Sequence, residues 1–247
     1  MDKLVYTAAS GLKSHMASQA AIANNIANAS TIGYRADRVA FDKIKLTGPG
    51  FETRTASGEQ VVDADRRAGT IMQTGRPLDI AITGDAWLAV QARDGSEAYT
   101  RRGDLNVAAS GVLETGDGFP VMGSGGPITI PPAQSVTISA DGTINIVPVG
   151  GDPKNPQTID RIKLVSVKGT ETKKGLDNLL HVEAGGTLPE DLDAQIQSAA
   201  LEGSNVDLTQ ALVDMIENQR AYEVQANLLK EAKDMDQSAA SLMRMPG

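Results

Sequence analysis

The side chains that could carry out catalysis are few, and their spacing does not bring them together. The sequence contains two histidines, His15 and His181, and no cysteine, so neither thiolate chemistry nor disulfide bonds are available. Carboxylates are more plentiful, but most of them stand beside glycine in turns, where aspartate favours the local backbone geometry. The carboxylates considered are Asp79, Asp85, Asp94, Asp104, Asp117 and Asp141, and all but Asp79 adjoin a glycine. Nothing in their spacing selects a pair for acid–base catalysis or a cluster for calcium.

Sequence motifs for catalysis and cofactor binding are also missing. The glycine-rich segment 123–126 is followed by Pro127 instead of a helix, so it makes a poor phosphate cradle. The sequence has no GxSxG, P-loop or HExxH pattern. We therefore expect no catalytic, cofactor-binding or metal-binding residues, and we expect the chain not to be an enzyme.

Length and charge limit the possible partners. A chain of 247 residues can form one or two domains with a sizeable core. Its net charge of −8 and its lack of clustered Lys and Arg argue against binding to nucleic acid. No apolar run reaches the roughly 20 residues of a membrane span. The N-terminus lacks the pattern of a cleaved signal peptide, which predicts a cytoplasmic protein or export by a route without such a signal.

The first element predicted from the sequence is a helix over residues 1–33. A 3,4-spaced seam runs along it, interrupted in the middle by the polar residues His15 and Gln19. Gly33 is a plausible stop because glycine tolerates the left-handed backbone beyond a helix end. The seam consists of Val5, Ala8, Leu12, His15, Gln19, Ile22, Ile26 and Ala29. Residues 34–75 are rich in Thr, Arg and Asp, and we interpret them as an extended or irregular connector.

Residues 76–200 are predicted to form an all-β domain, mostly antiparallel. Short β-rich runs alternate with turn dipeptides such as Asp94-Gly95, Ser110-Gly111 and Asp141-Gly142. The stretch "TIDRIKLVSV" (158–167) alternates apolar and polar residues, which predicts one half-buried strand.

Residues 201–247 are predicted to form a C-terminal helix, with its helical pattern running from about 205 to 243. Ser204 or Asn205 is the expected N-cap, with Asp207 in the first turn. Its apolar stripe includes Leu208, Leu212, Met215, Gln219, Tyr222, Ala226 and Leu229. We predict an α+β fold in which the two terminal helices pair in a coiled-coil manner around the inserted β-domain. The alternative is an ordinary α+β domain with both helices lying on a sheet.

The N-terminal helix carries no Asp, Glu, Lys or Arg between Ser14 and Tyr34. At 100° per residue, Ile22 and Ile26 share a narrow stripe, while Asn24 and Asn28 lie nearly opposite and Asn25 borders it. A solvent-exposed helix face normally carries charges. We therefore hypothesise that protein surrounds this helix on most sides and that the asparagines hydrogen-bond across subunits. The alternative is a weakly stable, frayed segment.

Four blocks of the sequence stand out: "ANNIANASTIGYR" (23–35), "GTIMQTGRPLDIAITGDAWLAV" (69–90), "YTRRGDLNVAASGVLETGDGFPVMG" (99–123) and "LEGSNVDLTQALVDMIENQRAYEVQ" (201–225). In this order they resemble the flagellar axial proteins, the family of rod, hook and hook-associated proteins. Ser30 and Ile32 depart mildly from the commonest pattern of the first block. The start "MDKLVYTAASGL" and the short length most resemble proximal-rod members, with distal-rod members as the alternative.

The resemblance implies a structural subunit of the flagellar basal-body rod, built into a helical tube with its terminal helices in the inner layer. It implies assembly with copies of itself and other rod proteins, export by the flagellar type III apparatus without a cleaved signal, and a place in the periplasmic rod. The expected assembly residues lie near the two termini. They are Val5, Leu12, Ile22, Asn24, Asn25, Ile26, Asn28, Gly33, Tyr34, Asn205, Val206, Leu208, Leu212, Met215, Gln219, Arg220, Tyr222 and Leu229.

Two alternative hypotheses, from other functional classes of protein, stay open at this point. The β-domain could be a binding module for cell-wall glycan, with the helices as accessories. A hydrolase that uses Asp or Glu is the second alternative, although no carboxylate pair stands out.

Overall fold

The computed structural model is α+β, with one long helix at each end of the chain. It describes the backbone of residues 2–45 and 55–243 and the side chains of residues 9–38, 64–235 and 237–238. Helix α1 spans Asp2–Ala27, helix α2 spans Leu208–Met243, and strands lie between them. The predicted fold class is confirmed at this level.

The chain divides into two compact units. The helical unit consists of Met1–Ala27, Asp37–Val62 and Asp207–Gly247, and the β-unit consists of Asn28–Ala36 and Asp63–Val206. The residues just after α1 and just before α2 therefore belong to the β-unit, whereas the sequence placed them with the terminal helices.

Helix α1 ends at Ala27, six residues before the stop expected at Gly33. Asn28 starts a turn: its carbonyl accepts the Thr31 amide at 3.0 Å, and its Oδ1 accepts the Thr31 hydroxyl at 3.1 Å. Short polar side chains compete with helical hydrogen bonding in this way, and at Asn28 the turn replaces the helix.

Helix α2 begins at Leu208, and its N-cap is Asp207 instead of Ser204 or Asn205. The Asp207 Oδ1 accepts the amides of Thr209 and Gln210 at 2.9 and 3.1 Å. The Asp207 carbonyl accepts the Ala211 amide, as the first helical hydrogen bond requires. The expected cap was wrong because Asn205 is engaged elsewhere, as described below.

The connector predicted over 34–75 contains regular strands. β1 (Asp37–Lys45) and β2 (Thr55–Ala64) pair in a two-stranded sheet, and β3 (Ile71–Gln73) follows. Residues 46–54 of this connector lie outside the described part of the chain.

The remaining strands all belong to the β-unit. They are β4 (Ile80–Ile82), β5 (Ala86–Gln91), β6 (Glu97–Thr100), β7 (Leu105–Val107), β8 (Leu113–Thr115), β9 (Met122–Gly123), β10 (Gly126–Pro127), β11 (Ala133–Ile138), β12 (Thr143–Pro148), β13 (Gln157–Arg161), β14 (Leu164–Ser166), β15 (Thr172–Lys174), β16 (Leu180–Val182), β17 (Ile196–Ser198) and β18 (Ala200–Glu202). The largest sheet has the order β14-β5-β6-β16-β15, and a second has the order β11-β12-β13. β17 pairs with β4, β18 with β3, β7 with β8, and β9 with β10; every pair in this unit is antiparallel.

The core of the β-unit lies on both faces of β5. Ala86, Leu88 and Val90 point into the larger apolar cluster, and Trp87 and Ala89 point into the smaller one. Successive side chains of a strand alternate between faces, so a continuous apolar run suits a strand buried on both sides.

Most of the predicted hairpins are present, but one predicted strand is divided. Asp94-Gly95 joins β5 to β6, Ser110-Gly111 joins β7 to β8, and Asp141-Gly142 joins β11 to β12. The stretch 158–167 contributes to both β13 and β14, which lie in different sheets. Ile162, between them, is fully buried and bridges to Gly123, so the chain passes from one sheet to the other there.

Candidate assembly surface

Within the helical unit, α1 and α2 contact each other through a polar pair. The Asn218 Nδ2 donates to the His15 carbonyl at 2.9 Å, and the His15 Nδ1 lies 2.9 Å from the Asn218 Oδ1. Because that amide oxygen can only accept, the Nδ1 of His15 carries the proton. Gly11 lies against Gln225, whose Nε2 would be 2.8 Å from a Cβ at position 11. The order of these contacts shows that the helices run antiparallel.

The predicted assembly residues of the two helices differ in exposure. Several are half-buried within the single chain: Leu12, Ile22, Ile26, Met215, Tyr222 and Leu229. Leu208 and Leu212 are 47% and 46% exposed, and Gln219 and Arg220 are also exposed. The side chain of Val5 lies outside the described residues.

Helix α2 exposes further large apolar side chains besides Leu208 and Leu212. These are Val213, Ile216, Val224, Leu228 and Met235, and α1 adds Met16. A helix on the surface of a soluble domain normally carries polar residues opposite its buried stripe. Exposed apolar surface of this extent is typical of a face that another protein covers.

The predicted assembly residues Asn24 and Asn25 both have partners within the helical unit. Asn25 Oδ1 accepts the Asp37 amide at 2.7 Å, and its Nδ2 donates to the Asp37 carbonyl at 3.1 Å. Asn24 Nδ2 donates to the Asp37 carboxylate at 2.5 Å. These asparagines therefore hold the start of β1 against α1, and their hydrogen bonding across subunits stays a prediction.

Gly33 and Tyr34 lie inside the β-unit. Gly33 has φ +67°, and its amide donates to the Glu202 carbonyl at 2.7 Å. Tyr34 is buried, and the Lys174 ammonium lies 3.7 Å from the centre of its ring. Lys174 also donates to the Arg35 carbonyl at 2.9 Å. In this chain both predicted assembly residues anchor the segment that follows α1.

A buried ionic cluster lies beside this anchor. Arg35, Arg101 and Glu202 are 3%, 2% and 1% exposed. The Glu202 Oε1 lies 2.7 Å from the Arg35 Nη2, and its Oε2 lies 3.4 Å from the Arg101 Nη1. Both guanidinium carbons lie over the Trp87 ring, 5.8 and 5.6 Å from its centre. Thus one carboxylate and one indole face stabilise two buried cations.

Burial dominates the electrostatics of this cluster. It lowers the pKa of Arg101 to about 10, against the opposing effect of the Glu202 carboxylate. Burial likewise lowers the pKa of Arg35, which Glu202 partly offsets. Both guanidiniums remain charged at neutral pH, so the cluster needs the Glu202 charge.

Asn205, also predicted as an assembly residue, uses its amide within the β-unit. Its Oδ1 accepts the Ala36 amide at 2.8 Å, and its Nδ2 donates to the carbonyls of Asp65 and Arg67 at 3.0 and 2.9 Å. Val206 is half-buried, and its amide donates to the Ser204 hydroxyl at 3.2 Å.

The carboxylates considered for chemistry have structural partners. Asp94 Oδ1 accepts the Ser96 amide, and Asp141 Oδ1 accepts the Thr143 amide, each within one turn. Asp104 binds Arg102 at 2.7 Å. Among the described residues, no group of three or more His, Cys, Asp or Glu is placed to hold a metal ion.

Sequence reasoning missed the ionic cluster. Arg35, Arg101 and Glu202 each fall within a block that resembles the axial proteins, but they lie far apart in sequence. Glu202 follows the apolar pair Ala200-Leu201 at the end of a short run, which was the available signal. A lone charge at a strand end is more often solvated, so its burial could not be inferred.

Models of protein families match three parts of the chain. Residues 5–35 match "Flagella basal body rod protein", residues 81–146 match "Flagellar hook protein FlgE/F/G D1 domain", and residues 197–242 match "Flagellar basal body rod FlgEFG protein C-terminal". These matches cover the helices, the segments that enter the β-unit and part of the β-unit itself. They define the class as a rod- or hook-type protein of the bacterial flagellum.

Individual relatives cover the whole chain. The flagellar basal-body rod protein FlgF of Salmonella typhimurium is 39% identical over 99% of this chain and 100% of its own length. FlgF of Escherichia coli is 38% identical with the same coverage, and FlgG of Bacillus subtilis is 31% identical, again over 99% and 100%. The chain belongs to the family of flagellar basal-body rod proteins.

Proposed function

We propose that this chain is a structural subunit of the proximal part of the flagellar basal-body rod. It assembles helically with copies of itself and with other rod proteins, and the assembly transmits motor torque. The observation that carries the proposal is the full-length match to two FlgF proteins at 39% and 38% identity. The lower identity of 31% to a FlgG protein makes a distal place in the rod the alternative.

The exposed apolar surface of α2 is the proposed contact between subunits. Leu208, Leu212 and Ile216 are about half exposed in the single chain, at 47%, 46% and 53%. Burying apolar surface contributes roughly 25 cal/mol per Å², so covering such a stripe favours association. We propose that α1 and α2 pair in a coiled-coil manner and that helices of neighbouring subunits pack against them. A heterologous contact of this kind repeats along a helix without closing.

The route to the rod follows from the same family assignment. We propose that the chain is exported by the flagellar type III apparatus without a cleaved signal peptide and that it functions in the periplasmic part of the basal body. No helix in the described part of the chain is both long enough and apolar enough to span a membrane. The proposal assigns the chain no catalytic role and no cofactor.

The assembly surface can be tested with the double substitution Leu212→Ser and Ile216→Ser in the full chain. Both side chains are exposed in the single subunit, so we expect the β-unit to keep its thermal unfolding midpoint. Incorporation into purified basal bodies should fall at least about tenfold, because the apolar surface that neighbours cover has been removed. Immunoblots of basal bodies and of periplasmic extracts measure incorporation and export separately.

Glu217→Gln, an exposed change on the same helix, is the matched control and should assemble normally. Normal incorporation of the double variant would contradict the proposed surface. Absence of the unaltered chain from basal bodies would contradict the proposed function as a whole.

The readings from other classes give opposite results with the same purified protein. A glycan-binding module would bind isolated peptidoglycan without other rod proteins, whereas a rod subunit on its own should not. A hydrolase would release soluble fragments from peptidoglycan, and one carboxylate substitution would abolish the release.

A further inference from the structure

Three segments of the β-unit meet where the chain leaves it. We name them pass A (residues 33–36), pass B (residues 65–70) and pass C (residues 202–206). The chain crosses between the units at 27/28, 36/37, 62/63 and 206/207, so pass A and pass C each end at a crossing and pass B starts just after one.

Passes A and C are joined by main-chain hydrogen bonds. The main-chain amide of Gly33 donates to the Glu202 carbonyl at 2.7 Å, and the main-chain amide of Asn205 donates to the Tyr34 carbonyl at 3.3 Å. Because later residues of one pass bond later residues of the other, the two segments run in the same direction.

Passes B and C run in opposite directions and extend the pairing of β3 with β18. The Gly203 amide donates to the Thr70 carbonyl at 2.8 Å, next to the Glu202–Ile71 pair of that ladder. The Gly69 amide donates to the Glu202 Oε1 at 2.7 Å. Pass C therefore contacts both of the other passes.

Two side chains of pass C bind both neighbouring passes at once. The side-chain amide of Asn205 accepts the main-chain N–H of Ala36 in pass A through its Oδ1. Its Nδ2 donates to the carbonyls of Asp65 and Arg67 in pass B. The Glu202 carboxylate binds Arg35 of pass A and Gly69 of pass B.

Each of the two side chains has a property that its closest isostere lacks. Asn205 needs an acceptor and a donor on one planar group, a combination that aspartate lacks. Glu202 supplies the negative charge in contact with two buried guanidiniums, and its removal would leave Arg35 without its ion pair and held by its hydrogen bond to the Arg67 carbonyl. Arg101 is held independently, because its guanidinium donates to the carbonyls of Ile82 and Gly84.

We propose that Glu202 and Asn205 are positioning residues for rod assembly: together they clamp passes A, B and C where the chain leaves the β-unit. The clamp holds passes A, B and C together, so that force transmitted through one of these segments is distributed over all three. This inference rests on the proposed function in the rod, because the shared force is the torque that the rod transmits.

The clamp can be tested by residue-resolved hydrogen exchange on the full chain with Asn205→Ala and Asn205→Asp. In N205A the Ala36 amide loses its acceptor, and its exchange should rise by roughly tenfold or more. In N205D the carboxylate still accepts from Ala36 but repels the carbonyls of pass B. As pass B moves away, the Asp65 amide should lose its hydrogen bond to the Ala36 carbonyl, which is 2.8 Å long, and exchange faster, while the Ala36 amide stays slow.

Glu202→Gln should loosen pass A, because Arg35 loses its ion pair with the Glu202 carboxylate. The Gly33 amide should then exchange roughly tenfold faster. The amides of Leu88 and Val90 in β5 should keep their rates in every clamp variant, since they lie in the core strand. Asn155→Ala and Glu183→Gln, both exposed, are the matched controls and should change none of these rates.

The same variants are then scored for rod assembly and swimming. Faster exchange in the passes together with a several-fold loss of assembled rods supports the clamp. Unchanged exchange, or equally faster exchange throughout β5, would show that these side chains do not form a local clamp. Faster exchange in the passes together with normal rod assembly would refute the positioning role and leave the proposed function intact. Absence of the unaltered chain from basal bodies would refute the proposed function but not the local clamp.

Discussion

At the scale of single residues, the buried polar groups of the β-unit act in small connected sets. Tyr99 is fully buried; its hydroxyl donates to Glu97 at 2.9 Å and accepts the Leu188 amide at 2.8 Å. Glu97 in turn binds the Lys163 ammonium at 2.8 Å. Burial, with help from Glu97, raises the pKa of Tyr99, so the phenol stays protonated and can donate.

We predict that Tyr99→Phe destabilises the β-unit by about 1–3 kcal/mol, because the Leu188 amide would be buried without its acceptor. Urea unfolding followed by Trp87 fluorescence measures the change. Tyr222→Phe on α2 is the matched control, since Tyr222 is only half-buried and lies in the helical unit. Equal midpoints for the two variants would show that the Tyr99 hydroxyl contributes little.

At the scale of elements, the packing of the segment that follows α1 into the β-unit depends on Gly33. Its φ of +67° is a conformation that other residues adopt only at a cost. A Cβ at this position would also collide with the main chain of Arg101 and Arg102. Glycine is therefore required twice, by backbone conformation and by close packing.

Gly75 allows these two requirements to be separated. It has a similar φ of +75°, but nothing lies within 4 Å of where its Cβ would be. Gly75→Ala should cost only the backbone term, roughly 1–2 kcal/mol. Gly33→Ala should cost a further 1–3 kcal/mol or so from the collision. Chemical denaturation of both variants measures the difference, and equal costs would mean that the main chain at Arg101 shifts freely.

At the scale of the whole molecule, the two units bury very different amounts of side chain. Among the described side chains of α1 and α2, only Ala21 and Ala232 are buried. The β-unit contains two apolar clusters, with Leu88, Leu105 and Ile144 fully buried. Apolar burial is the main favourable term in folding, so the units should differ in stability.

We predict that the helical unit of the isolated chain unfolds at a lower temperature than the β-unit. Trp87 is the single tryptophan and lies in the β-unit core, so its fluorescence reports that unit alone. Far-UV circular dichroism at the helical minimum reports mainly α1 and α2. Coincident transitions by the two probes would contradict the prediction and indicate one cooperative unit.

The order of events in assembly follows from this difference. If the helices are marginal in the free subunit, contact with neighbours supplies the apolar burial that they lack.

The sequence by itself determined the features that depend on local periodicity and turn chemistry. The 3,4-spaced stripes predicted the two terminal helices, and the turns at Asp94-Gly95 and Asp141-Gly142 predicted hairpins that the structure contains. The blocks at 23–35 and 201–225 identified the family, which the full-length relatives confirm. These signals lie within short stretches of chain, where neighbouring residues dictate the outcome.

Only the tertiary structure decided what the polar residues at the ends of the helices do. Asn205 was expected to cap a helix or contact another subunit, yet its amide binds Ala36, Asp65 and Arg67. Glu202 is buried because Arg35 and Arg101, far away in sequence, supply compensating charge. A polar side chain binds the partners that the fold brings within hydrogen-bonding distance. Those partners are distant in sequence, so the local sequence pattern does not predict them.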